Sequence, residues 1–140
     1  MVKTTRVNRL CGCSLTTCGC LIVIDGGSPI HDVATGIARI TGPEPSVFDG
    51  AELLAMAVLE DAEVLDREAE DATDNWRLER IAVVERIILR MGIHELRTGD
   101  VPPKVAIDEA VRLAHWFGGA RAPAFVNGVL DRVAHTLGRL

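Results

Sequence analysis

The stretch LCGCSLTTCGC, residues 10–20, holds all four cysteines of the chain, Cys11, Cys13, Cys18 and Cys20. Four thiolates spaced C-x-C-x4-C-x-C are a soft donor set, able to close a tetrahedral zinc site if the backbone brings them to one point. Structural zinc sites more often separate paired cysteines by two residues, and no histidine lies near this stretch. A disulfide framework would scatter its cysteines through a smaller, loop-rich chain. The other groups capable of chemistry are dispersed. His31, His94, His115 and His135 form no His-x-x-x-His pair, and there is neither a glycine-rich phosphate loop nor a nucleophile elbow. Glu79 and Glu85 stand six residues apart, about 240° on a helix, too far round to share a substrate proton. No catalytic constellation emerges, so the chain is not expected to be an enzyme, and neither a cofactor nor a metal is expected.

The elements that would position any site read as helices. Ser28-Pro29 is a cap followed by proline in the first turn, with Ile30, Val33, Ala34 and Ile37 at helical spacing until Gly42-Pro43. A second helix is expected from about Val47 to Ala72, with Phe48, Ala51, Leu54, Val58, Ala62 and Leu65 on one face and its acids on a solvated face. In WRLERIAVVERIILRMGIHEL, residues Ile81, Val84, Ile88, Leu89, Met91 and Gly92 share a broad arc opposite Glu79, Arg86 and Arg90, which marks a central helix. Glu85 falls inside that arc, where a carboxylate needs a partner. Thr98-Gly99-Asp100 and Pro102-Pro103 break the pattern. In the next helix Ala106, Ile107, Ala110, Val111, Leu113, Ala114 and Phe117 face inward, and Gly118-Gly119 caps it. In the last, Phe125, Val126, Val129, Leu130, Val133 and Leu137 share a face, with Asn127, Asp131 and His135 away from it. Only LIVI, residues 21–24, looks strand-like. The expected fold is all-α, an antiparallel helical bundle over residues 28–140 preceded by an atypical segment, 1–27.

At 140 residues, 48% hydrophobic and 25% charged, the chain can bury a core unaided, and no apolar run reaches membrane-spanning length. Lys3, Arg6 and Arg9 precede an apolar segment as in a secretion signal, but Gly12, Thr16, Thr17 and Gly19 dilute it and no A-x-A-like site follows, so a cytoplasmic protein is expected. The net charge of −5 is unevenly spread. Eleven acids lie between Glu44 and Asp74 against Arg67 alone, whereas ten Lys and Arg face seven acids from Trp76 onward. A local field can therefore favour an anionic partner despite the overall sign.

The phrases NWRLERIAVVERIILRMGIHEL, VPPKVAIDEAVRLAHWFGG and FVNGVLDRVA, in that order, resemble the NusB family of transcription antitermination factors. The likeness extends more weakly through FDGAELLAMAVLEDAEVLDREAEDATDNW to about Asp25. The resemblance implies a non-catalytic helical protein, monomer or homodimer. It would pair with a small-subunit ribosomal protein on a boxA-type single-stranded element of nascent ribosomal RNA, acting indirectly on the RNA polymerase elongation complex. By position, Phe125 would stack on a base near Asn127, with Arg90 and Lys104 facing the RNA and Glu79 and Glu85 facing the ribosomal partner. Lys3, Arg6 and Arg9 would be the remnant of the family's arginine-rich N-terminal helix.

Two departures stand out. The family's acidic position before the last helix is Arg121 here, and the N-terminal arm lacks the family's R-x-x-A-R-x-x-A pattern and Leu-Tyr pair. Three readings of residues 1–24 remain: a thiolate metal site, a diverged arm whose cations still meet phosphate, or a segment read in a shifted frame upstream of Asp25. Other functional readings are a NusB-like partner of an RNA methyltransferase and a helical interaction module without RNA binding.

Overall fold

The computed structural model describes residues 45–74 and 80–140, with side chains from residue 53 onward. The expected helix after Ser28, the strand-like LIVI, the cysteine stretch, Lys3, Arg6, Arg9 and Glu79 lie outside the described residues. Among those described are five helices and no strand: α1 (Pro45–Glu60), α2 (Ala62–Asp71), α3 (Val83–Thr98), α4 (Pro103–Phe117) and α5 (Ala122–Thr136). The protein is all-α, and no described helix is long and apolar enough to cross a membrane.

The expected single helix over 47–72 is two helices, and their junction also separates two compact units, one ending at Glu60 and one comprising Asp61–Leu140. Asp61 leaves helical geometry (φ −95°, ψ 10°) while its carbonyl accepts the Leu65 N–H at 3.0 Å. It thus closes one helix and opens the next, in keeping with the tendency of aspartate to leave helix interiors for caps and turns. In the first unit α1 buries Leu54, Ala55 and Val58 at helical spacing.

In the second unit α3 is the central element, packed against α2, α4 and α5. Its expected apolar arc is buried at Ile88, Leu89, Met91 and Gly92, with Ile93 and Leu96 continuing the core. A Cβ built on Gly92 would lie 2.7 Å from Leu130 Cδ1, so the missing side chain is what lets the α5 leucine seat directly on α3. Gly99 ends α3 in the left-handed region (φ 72°) with its N–H donated to the Glu95 carbonyl at 3.2 Å, a conformation that favours glycine. Pro103 then starts α4 in its first turn.

The acidic face of α2 is not simply solvated. Asp66 accepts Nε and Nη2 of Arg90 at 2.6 Å each and Nη2 of Arg86 at 2.9 Å, and Glu68 pairs with Arg97. Burial alone would push the Asp66 carboxyl up, but hydrogen bonds and charge from the two arginines outweigh it and hold the group below its ordinary 3.8. The cations that sequence places opposite the α3 core stripe therefore clamp α2 to α3. Burial, ahead of any neighbouring charge, keeps His94 below its ordinary 6.5.

Two apolar residues expected inward are exposed instead: Phe117 at 50% and Leu137 at 37%. Each sits at a helix terminus, where no further turn continues the packed face. After Phe117 the chain leaves α4 through Gly118 (φ −94°, ψ 174°), whose N–H reaches the Ala114 carbonyl at 2.9 Å.

Candidate nucleic-acid interface

The short connection between α4 and α5 brings the first turn of α5 beside the last turn of α4, and the entry to α3 comes to the same end. There Arg80, Ile81 and Glu85 line, together with Phe125 and residues 119–122, a cleft of about 440 Å³. That is the size range of sites for small organic groups. Arg80 precedes α3 in a short turn, and Arg121 is the N-cap residue of α5, so both cations are placed by element boundaries. Phe125 sits in the first turn of α5 and is half-buried, neither a core residue nor a free one. It is one of the residues that line the cleft.

Glu85 lies in the first turn of α3, half-buried, and takes part in none of the ion pairs among the described residues. Asn127 is exposed on α5, two residues past Phe125. Lys104 is exposed at the opposite end of α4. Thirteen helical steps separate it from Phe117, about 20 Å at 1.5 Å per residue. A ligand touching both Phe125 and Lys104 must be an extended chain.

Arg90 is placed differently from its expected outward role. Its guanidinium is committed to Asp66 and its side chain is only 16% exposed, so in this arrangement it braces α2 against α3. The structure brings together Glu85 and Phe125 from the expected set and adds Arg80 and Arg121, which sequence reasoning did not select. Arg121 carried a signal, a basic residue where the resembling family has an acid; Arg80 carried none.

The arrangement suits binding better than bond-making. No group of His, Cys, Asp or Glu among the described residues is arranged to hold a metal ion. A smaller cavity of about 170 Å³ lies by Glu68, Asp71 and Val133, with acids in its wall that disfavour an anion. The cleft by Phe125 has two arginines to one acid, Glu85, in its lining, and an aromatic residue among cations is the pairing that takes a base on a ring and phosphates on the cations.

A family model described as the NusB family matches residues 30–135. The match leaves the cysteine stretch outside it. A protein of Sorangium cellulosum (strain So ce56) named transcription antitermination protein NusB is 43% identical over 116 residues, covering 82% of this chain and 83% of its own length. Among solved structures, T. maritima NusB superposes with a TM-score of 0.75 at 24% identity, covering 96% of this chain and 92% of that one. A chain in the crystal structure of a plectonemic RNA supercoil gives 0.80 at 21%, covering 90% and 94%. At such identities the last two likenesses bear on the fold.

Proposed function

The chain belongs to the NusB family, and from that premise we propose that it is a non-catalytic antitermination factor that binds a boxA-type single-stranded RNA together with a small-subunit ribosomal protein, promoting transcription of ribosomal RNA. Its relatives are named as transcription antitermination proteins, a role of binding and not of turnover. The observation that carries the RNA reading is the cleft: half-buried Phe125, Arg80 and Arg121 line one space of about 440 Å³.

In this reading an unstacked base lies on Phe125, with Asn127 beside it to meet a base edge or sugar. Arg80 and Arg121 supply the phosphate term, and Lys104 extends it along α4. Lys3, Arg6 and Arg9 would add phosphate contacts from the arm, and Arg90 would act mainly by fixing the frame. Glu85, with Glu79 before it, would meet the ribosomal partner. Because Glu85 shares a cleft with Phe125, partner and RNA would meet at one end of the helices, which gives a physical route for each to strengthen binding of the other. The complex would then act on the elongating polymerase in the cytoplasm.

The test is a titration of labelled boxA-type RNA with the protein, alone and with the small-subunit ribosomal protein, at two salt concentrations. The expected result is binding that falls steeply with salt and tightens when the partner is present. Absence of RNA binding in both cases would leave a helical interaction module. Binding that tightens only with an RNA methyltransferase would assign the chain to that enzyme.

A further inference from the structure

The chain contains five aromatic residues, and three of them, Trp116, Phe117 and Phe125, fall within ten positions around the α4–α5 connection. Phe125 belongs to the cleft. Trp116 is 63% exposed and Phe117 50% exposed, yet their rings are ordered against each other, centroids 6.4 Å apart at 74°. Edge-to-face is a favoured arrangement for two aromatic rings. Burying these rings is not what stabilises the helices, since most of Trp116 remains in contact with solvent.

We propose that the Trp116–Phe117 pair is a second base-stacking platform, continuing the RNA track from the Phe125 cleft along the end of α4. This rests on the RNA-binding reading above and extends it to residues that reading does not use. Three observations favour RNA as the occupant. Phe117 is two residues from Gly119, a wall of the cleft, so the platform begins within about 7 Å of chain from the site it would extend. Cations stand at both ends of the proposed track: Arg80 and Arg121 line the cleft beside Glu85, and Arg112, one turn after Asp108, is exposed one turn before Trp116 on the same face of α4. Finally, indole and phenyl faces accept any base, so adjacent rings beside arginines form a stacking platform with a phosphate guide. An apolar protein partner would gain from the aromatic rings but not from Arg80, Arg112 and Arg121.

The experiment compares wild type, Trp116→Ala and Trp116→Phe in anisotropy titrations with a labelled single-stranded boxA-type RNA of twelve nucleotides. Trp116→Ala is expected to weaken binding about 5- to 150-fold, the range for loss of one base–aromatic stack. Trp116→Phe, which keeps a π face, should stay within a few-fold of wild type. The slope of affinity against salt should not change, because no cation is removed. Far-UV circular dichroism and the melting temperature should be unaffected in both variants, since the side chain lies mostly in water.

If wild type binds the RNA and Trp116→Ala binds it equally well, the platform is refuted while the RNA-binding reading stands. If wild type binds no RNA, that reading fails first and the platform with it. If Trp116→Ala keeps RNA affinity but loses self-association in sedimentation, the surface is a contact between copies of the chain and the proposal is wrong.

Discussion

Phe125→Ala is expected to weaken binding of the single-stranded RNA by about 5- to 150-fold while the protein keeps its helical content. Phe125 is half-buried in the first turn of α5, where Pro123 helps to fix the start of the helix. Truncation removes the π face that would carry the base, but the fully buried anchors of α5, Val126 and Leu130, are untouched. Some packing is lost as well, so the informative control is Phe125→Leu, which restores apolar volume without an aromatic face. If Leu restores stability and not affinity, the ring acts by stacking. If both variants bind RNA like wild type, Phe125 is a packing residue and the cleft is not the base site.

Leu130→Ala should have the largest effect on stability, a loss of about 3–4 kcal/mol. Leu130 is completely buried and rests on Gly92 of α3, where even a Cβ would come within 2.7 Å of its side chain. The helices already approach closely there, so they cannot collapse further to fill the space left by alanine. For a chain of this size the loss corresponds to roughly 10 °C in melting temperature. The same geometry makes a compensating pair. Gly92→Ala alone pushes a methyl group into Leu130 and should destabilise by about 1–3 kcal/mol. Introduced into Leu130→Ala, the added methyl enters the vacated volume and removes a helix-interior glycine, so the double variant should be more stable than Leu130→Ala alone. Urea unfolding of the four proteins gives the coupling directly, and additive losses would show that Gly92 and Leu130 are not in contact.

The later helices were legible in sequence because each carries several turns of uninterrupted periodicity. The buried positions of α4, from Ala106 to Ala114, and those of α5, from Val126 to Val133, are the ones the pattern selects. Periodicity did not reveal the break at Asp61, because Val58, Ala62 and Leu65 hold helical spacing across it and the change is confined to one residue's dihedral angles. It misplaced Phe117 and Leu137 because a pattern extrapolated to a helix end assumes another turn of neighbours. The acid–arginine clamp was invisible for a related reason: Asp66 and Arg90 are twenty-four residues apart and meet only when α2 packs on α3.

The candidate interface was legible only in part. The role of Phe125 came from family resemblance, since amphipathic spacing alone assigns it to the core. Arg80 and Arg121 contribute through the boundaries of α3 and α5, and no local pattern connects two residues forty-one positions apart that line one cleft. The family match covers residues 30–135 and does not include the cysteine stretch.

The most direct measurement is photo-crosslinking of a 4-thiouridine-substituted boxA-type RNA to the protein, followed by tryptic mapping. The account predicts cross-links in LAHWFGGAR, residues 113–121, and APAFVNGVLDR, residues 122–132, the two peptides that carry the aromatic rings and the cleft loop. Cross-links confined to the acidic peptide EAEDATDNWR, residues 68–77, or found equally across the whole chain, would contradict it.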